Sequence, residues 1–168
     1  AILINKKLKH CFFLIPVNNK LNYRYVIKKI NQYSLTNIKV VFGHSHEVLS
    51  SSDISILASG TAALEAALFK KPMIIIYKMS WLSWFFLKPM HLIPYIGLPN
   101  LLAGELLVPE YLQGAVNTQA LFSEIDNFMS SFQSFSYSMK QFDRIHETLR
   151  GGASDKAAEA IQRLVVES

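Results

Sequence analysis

Four continuous apolar runs, separated by stretches with helical spacing, set the strongest constraint on the fold. The runs occupy residues 11–17, 37–43, 54–58 and 73–77. Between them, residues 21–33 and 62–69 repeat apolar side chains at helical intervals, and residues 47–51 form one or two further helical turns. Strands that are apolar throughout and alternate with helices are typical of a parallel sheet with helices on both faces. The pattern therefore predicts an α/β fold.

The character of the chain changes after Leu112. Residues 117–129, 134–149 and 153–166 are predicted to form successive helices, with Gly151 and Gly152 separating the last two. A length of 168 residues corresponds to about one domain. We therefore interpret residues 1–113 as the α/β domain and residues 114–168 as a helical tail that packs on it.

A turn of small residues, Ser59-Gly60-Thr61, follows the third predicted strand, and Glu65 follows one helical turn later. Backbone N–H groups at a helix start lack helical partners, and glycine lets a phosphate approach them closely. Ser59 or Thr61 can cap the helix or donate to phosphate, while Glu65 can accept hydrogen bonds from a sugar diol. The turn indicates an anion site at the carboxyl edge of the sheet, or simply a capped helix between two strands.

Other side chains give fewer indications of chemistry. The single cysteine, Cys11, lies in an apolar run, which excludes an internal disulfide and predicts a buried thiol. His44, His46 and Glu47 are close in sequence, but no further ligand follows at a zinc-like spacing. We therefore expect a polar loop there, with no metal site and no cofactor.

Charge and aromatic residues bear on the partners of the chain. A net charge of +5 suits a phosphorylated ligand or an anionic membrane, and without a recognition module we expect no nucleic acid. The most apolar block, residues 80–93, includes Trp81, Trp84, Phe85 and Lys88. It is too short and too interrupted to span a bilayer, yet its composition suits a membrane interface. The alternative is a segment packed in the core or against another domain.

Two segments carry a resemblance to a known family. "ASGTAALEAALFKKPMIIIYKMSWLSWF" begins at Ala58, and "PYIGLPNLLAGELLVPEYLQ" begins at Pro94. Together they resemble the lipid-A-disaccharide synthases, inverting glycosyltransferases of the two-domain GT-B type. The similarity covers residues 11–113 well and the helical tail in pattern.

The resemblance implies a Rossmann-like parallel sheet, the carboxyl-terminal half of a GT-B enzyme that holds the UDP part of the donor. Such enzymes transfer 2,3-diacylglucosamine from its UDP carrier to 2,3-diacylglucosamine 1-phosphate with inversion. The amino-terminal half binds the acceptor and supplies the base, so this chain would lack the catalytic base. The implied partners are UDP-diacylglucosamine, a lipid acceptor, the amino-terminal domain and a membrane surface. The implied location is cytoplasmic, on the inner membrane of a Gram-negative bacterium.

The resemblance also assigns residues to the donor site. Residues 59–61 would face the diphosphate, and residues 43–46 would lie near the uracil. Glu65 would hold the ribose hydroxyls, and Asn100 would face the donor phosphate or sugar. The complete set is Gly43, His44, His46, Ser59, Gly60, Thr61, Glu65 and Asn100.

Two departures from the family pattern affect this site. The family usually reads Ala-Gly-Arg-Glu where this chain has Ala103-Gly104-Glu105-Leu106. A carboxylate at a few Å repels a diphosphate by roughly 1 kcal/mol or more, so Glu105 either points away or weakens the site. The family's Leu-Pro-Gly-Ser-Arg loop would precede residue 1, so we interpret the chain as a fragment or a processed product. We expect it to be inactive alone and to self-associate, for example as a homodimer.

Two alternatives to this function stay open. Another GT-B donor domain, for instance one acting on undecaprenyl-linked sugars, would share residues 59–65 but not residues 98–113. The second alternative is a non-catalytic Rossmann-like module that binds a membrane or a partner chain.

Overall fold

The computed structural model describes residues 1–8, 11–58, 60–80, 84, 94–131, 135–150, 158, 162 and 163. Within these ranges, strands alternate with helices along most of the chain. In chain order the elements are α1 (Ile2–Lys7), β1 (Phe13–Val17), α2 (Lys20–Gln32), β2 (Ile38–Phe42), α3 (Ser45–Ser51), β3 (Ser55–Ala58), α4 (Thr61–Leu68), β4 (Met73–Tyr77), α5 (Leu98–Ala103), β5 (Glu110–Leu112), a 3-10 helix (Gln113–Ala115), α6 (Thr118–Ser130) and α7 (Ser136–Arg150).

The strands and helices expected from the apolar pattern up to residue 150 are present, with ends that differ by at most two residues. The expected helix over residues 153–166 falls almost entirely outside the described residues, as do Gly151 and Gly152. Four elements were not predicted, namely α1, α5, β5 and the 3-10 helix. Each has six residues or fewer, which is too short to establish a period.

All the strand pairs are parallel, which confirms the α/β class. β1 pairs with β2 in one sheet, and a second sheet has the order β3-β4-β5. Burial on both faces is complete at the central strand, where Ile74 is 0% exposed. Its register partner on β3, Ile56, is 45% exposed because β3 is an edge strand within the described residues. Both faces of the sheet are therefore covered at β4, as expected, but not at the edge strand β3.

The core forms where α4 lies against β4 and the carboxyl-terminal helices. Ala63, Ala66 and Ala67 give α4 a small apolar face, which lets the helix approach its neighbours closely. Phe135 and Phe142 belong to the same buried cluster as β4, with their ring centroids 5.7 Å apart in an edge-to-face arrangement. Residues beyond 113 therefore share a core with the sheet, while the domain boundary at residue 113 stays an interpretation.

Side-chain hydrogen bonds fix the ends of two long helices. Asn19 accepts from the backbone N–H of Asn22 at 2.8 Å and starts α2. Asn117 accepts from the N–H of Ala120 at 2.9 Å and starts α6. Both are N-caps of the kind that asparagine favours. Among the described helices, none combines the length and the apolar character needed to cross a bilayer.

Candidate functional site

The start of α4 is open to a ligand at the carboxyl end of β3. Gly60 has φ of 141°, a backbone angle that residues with a side chain rarely adopt, and a Cβ there would meet nothing within 4 Å. Glycine is therefore required by the backbone rather than by space. Among the described residues no side chain caps this helix, and Thr61 is exposed. Ser59, the remaining member of the predicted turn, lies outside the described residues.

A second loop lies at the carboxyl end of β2. Gly43 and His44 have φ of 72° and 54°, and α3 begins at the next residue. The N–H of Gly43 donates to the carbonyl of Val17 at 2.7 Å, which ties the loop to the end of β1. The two consecutive left-handed residues turn the chain sharply, so His44 and His46 are presented at the strand ends.

His46 and Glu65 bring these two loops together. Nε2 of His46 lies 3.3 Å from Oε2 of Glu65, and the imidazole packs edge-on to Phe69 with centroids 6.1 Å apart. The side chains of His46 and Glu65 are 66% and 37% exposed. An exposed polar contact of this kind adds little to stability, so the fold does not depend on it. Both groups are accessible to a ligand, and the contact joins residues that the family resemblance assigned to uracil and ribose.

His44 and Glu47 form a separate pair on α3. Nδ1 of His44 lies 3.1 Å from Oε1 of Glu47. This hydrogen bond is the main reason that the pKa of Glu47 lies below its ordinary value. Glu47 is therefore ionised at neutral pH, and it holds the His44 ring toward α3.

Asn100 has a structural environment that the sequence did not reveal. Its side chain is 0% exposed. Oδ1 accepts from the N–H groups of Leu107 and Val108 at 2.8 and 3.0 Å. Nδ2 donates to the carbonyl of Val108 and to a carboxylate oxygen of Glu110, at 2.8 and 2.7 Å. All four contacts are within the chain, so Asn100 fixes the segment between α5 and β5, and a contact with a donor stays a prediction.

Glu110, on β5, holds the backbone just before α5, and its role was missed in the sequence. Its carboxylate accepts from the N–H of Ile96 at 2.9 Å and from that of Gly97 at 2.8 Å, in addition to Asn100. A carboxylate at the positive end of a helix is favourable. Pro99 was the one sign in the sequence that a helix begins here. The contact with Glu110 could not be predicted, because no periodicity connects residues so far apart.

Gln113 joins the ends of β4 and β5. Its amide accepts from the N–H of Met79 at 3.0 Å and donates to the carbonyl of Met79 at 3.2 Å. The two bonds imitate a strand pairing beyond the point where β4 ends. These bonds tie the backbone two residues beyond β4 to the end of β5.

Glu105, the residue expected near the donor phosphates, has a partner on α7. The hydroxyl of Tyr137 donates to Oε1 of Glu105 at 2.8 Å. This bond is the largest cause that raises the pKa of Tyr137 above its ordinary value. The carboxylate is therefore engaged with α7, and its effect on a donor stays a prediction.

The apolar block is described only in part. Trp81, Phe85 and Lys88 lie outside the described residues. Trp84 is half-buried, and its backbone N–H donates to the backbone carbonyl of Ser80 at 3.0 Å. In the part of the chain that the structure describes, no three His, Cys, Asp or Glu side chains are grouped so as to hold a metal ion.

Comparisons with known proteins cover nearly the whole chain. The family model described as lipid-A-disaccharide synthetase matches residues 1–164. Lipid-A-disaccharide synthase 2 of Legionella pneumophila (strain Paris) is 37% identical over 95% of this chain. The lipid-A-disaccharide synthases of Methylobacillus flagellatus and Albidiferax ferrireducens are 44% and 37% identical over 74% and 98% of it. These matches cover 41%, 33% and 43% of the three relatives, so the chain spans about two fifths of their length or less.

Proposed function

Because the chain belongs to the lipid-A-disaccharide synthetase family, we propose that it is the donor-binding part of a glycosyltransferase of lipid A synthesis. The donor is UDP-diacylglucosamine, and the acceptor is a diacylglucosamine 1-phosphate. The sugar is transferred with inversion, and the catalytic base belongs to the amino-terminal half of the enzyme. The described residues then contribute binding and leaving-group stabilisation rather than proton transfer.

The contact between His46 and Glu65 carries this proposal. It joins α3 and α4, the helices that follow β2 and β3, and α/β domains bind nucleotides near such strand ends. Glu65 accepts hydrogen bonds from the ribose hydroxyls, and the loop from Gly43 to His46 lies along the uracil. Because their mutual contact adds little to stability, both side chains are available to a nucleotide that bridges the two loops.

The start of α4 receives the diphosphate. Unpaired N–H groups and the positive end of the helix dipole both favour an anion at Gly60 and Thr61. Ser59 is assigned to the same diphosphate contact. Negative charge grows on the diphosphate as the bond to the sugar breaks, so fixed N–H donors stabilise the transition state more than the ground state.

Asn100 and Glu110 act on the donor site through the backbone. Their hydrogen bonds fix α5 and the segment that leads into β5, the strand that pairs with β4. With both amide atoms of Asn100 occupied, the donor sugar meets the backbone that Asn100 holds. Asn100 is therefore a positioning residue in this proposal.

The substrates carry acyl chains, so the site of action is a membrane surface. We place the enzyme on the cytoplasmic face of the inner membrane of a Gram-negative bacterium, with Trp81, Trp84, Phe85 and Lys88 facing the lipid. The amino-terminal half of the enzyme completes the site. Where that half is absent, the surface that would meet it favours self-association, for example as a homodimer.

UDP binding to the 168-residue chain tests the donor-site assignment. Isothermal calorimetry should detect UDP binding by the wild type, and Glu65→Ala should weaken it by about tenfold or more, because charge-assisted hydrogen bonds are worth about 1.5–3 kcal/mol. Glu147→Ala, which removes an exposed carboxylate on α7, serves as the control and should bind as the wild type does. No binding at millimolar UDP, or an equal loss in both variants, would count against the proposal.

A further inference from the structure

Charge is divided unequally along the chain. Residues 1–46 contain eight of the 17 basic side chains and no Asp or Glu, whereas residues 47–168 contain the other nine and all twelve acidic side chains. The eight are Lys6, Lys7, Lys9, Lys20, Arg24, Lys28, Lys29 and Lys39. The excess of positive charge therefore belongs to the part of the fold built from α1, β1, α2 and β2.

One face of α2 concentrates this charge. The helix packs on β1 and β2 through its half-buried side chains, Val26, Ile27 and Ile30. On the opposite face, residues spaced three or four apart are all exposed. We call it the α2 face, and it consists of Leu21, Arg24, Tyr25, Lys28 and Lys29.

The α2 face combines cations with apolar groups that water surrounds. Leu21 is 76% exposed and Tyr25 is 65% exposed. Nζ of Lys29 lies 6.0 Å from the centre of the Tyr25 ring, so the cation and the aromatic group form one patch. Among the described residues, none of the cations of this face forms an ion pair with a carboxylate. Its positive potential is thus not neutralised within the described part of the chain.

We propose that the α2 face docks the protein on an anionic lipid surface. Basic side chains around exposed leucine and tyrosine suit the region between head groups and acyl chains, where the cations meet phosphate and the apolar tips enter the interface. The lysines and single arginine are not arranged as a module that reads bases, so lipid fits the face better than nucleic acid does. The proposed function, on which this inference rests, already directs Trp81, Trp84, Phe85 and Lys88 toward the lipid. The α2 face adds a second contact with the same membrane, and it is separate from the strand ends assigned to the donor.

Vesicle binding tests this docking directly. The chain is mixed with vesicles of 70% phosphatidylethanolamine and 30% phosphatidylglycerol, and the bound fraction is measured by flotation. Arg24→Gln/Lys28→Gln/Lys29→Gln should weaken partitioning by roughly a hundredfold, because each cation near an anionic leaflet contributes about fivefold. The control, Lys140→Gln/Arg144→Gln/Arg150→Gln, removes three exposed cations of α7 and lowers the net charge equally. It should change partitioning by less than about threefold.

Two further measurements separate insertion from general attraction. Leu21→Ser/Tyr25→Ser should lower partitioning by about tenfold while keeping its dependence on salt, which reports the cations. A polarity-sensitive fluorophore at Tyr25→Cys, in a Cys11→Ser background, should shift to the blue on vesicles, whereas the same label at Lys140→Cys should not.

Several outcomes would overturn the docking proposal. The first is an equal loss of vesicle binding in the two triple variants, and the second is a label at position 25 whose emission does not change. The third is binding to duplex DNA that is tighter than binding to vesicles and that the α2 triple variant abolishes. UDP calorimetry on the same variants keeps the two proposals distinguishable. The α2 variants should bind UDP as the wild type does, even if vesicle binding is lost.

Discussion

Replacing Asn100 by alanine removes four hydrogen bonds at a place that water does not reach. The N–H and the carbonyl of Val108 lose this partner, and Glu110 loses one of its donors. The N–H of Leu107 also loses its bond to Asn100 but keeps the carbonyl of Glu105 as an acceptor at 3.1 Å. Asn100 is 0% exposed and Val108 is 1% exposed. A buried polar group without a partner costs about 1–3 kcal/mol. A water in the vacated space would satisfy one group, so we expect a loss of about 3–5 kcal/mol.

Urea unfolding followed by far-ultraviolet circular dichroism measures this loss. Asn100→Ala should lower the free energy of unfolding by about 3–5 kcal/mol with an unchanged m-value, a large share of the 5–15 kcal/mol typical of a domain. Asn127→Ala, at an exposed position on α6, is the matched control and should change stability by about 0.5 kcal/mol or less. In a double-mutant cycle, Asn100→Ala and Glu110→Ala should be coupled by about 0.5–3 kcal/mol. A loss below about 1 kcal/mol for Asn100→Ala, or no coupling to Glu110, would refute the structural role given to this amide.

Three further predictions concern other contacts. Burial, together with the hydrogen bond to Glu124, raises the pKa of Tyr111 to about 12. A tyrosine in the unfolded chain has a pKa of about 10. The unfolded chain thus loses this proton first, so the Tyr111 contribution is complete below about pH 10 and is lost as pH rises toward the folded value. Urea unfolding at successive alkaline pH values should show this fall, and Glu124→Gln should reduce it; an identical fall in both proteins would contradict it. The lowered pKa of Glu47 stabilises the fold above the ordinary glutamate value, and this contribution disappears as pH falls through the lowered one. Carbon-detected NMR of the Glu47 carboxyl should show its midpoint move upward in His44→Gly, and an unmoved midpoint would contradict the assigned cause. Gly97→Ala would press a methyl group against Ile75 and the Glu110 carboxylate and should lower stability by about 1–3 kcal/mol in thermal melts. Gly114→Ala, where a Cβ would meet nothing within 4 Å, should be nearly neutral, and equal effects would contradict the packing argument.

The elements that the sequence predicted are those with a sustained apolar period. β4 was clear because five consecutive apolar residues, from Met73 to Tyr77, have no polar interruption. β5 has only three residues, and its position depends on pairing with β4, so no local pattern announces it. The contact between His46 and Glu65 was not predicted; the family resemblance only assigned both residues to one ligand.

The residues that hold the site were much harder to foresee than the loops themselves. The partners of Asn100 lie seven to ten residues further along the chain, and Gln113 contacts Met79 across 34 residues. Such contacts depend on how α5 and β5 fold back together, which local periodicity does not encode. Glu105 shows the same limit, because its partner Tyr137 lies 32 residues away on α7.

Amide NMR with UDP, uridine and pyrophosphate added separately tests the donor site most directly. If the two loops bind one nucleotide, pyrophosphate should shift the resonances of Gly60 and Thr61, and uridine should shift those from Gly43 to His46. UDP should shift both sets, and Glu65→Ala should weaken the response to uridine and UDP while sparing that to pyrophosphate. A millimolar UDP titration that shifts neither loop, or that shifts only residues away from the ends of β2 and β3, would contradict the assignment of this edge as the donor site.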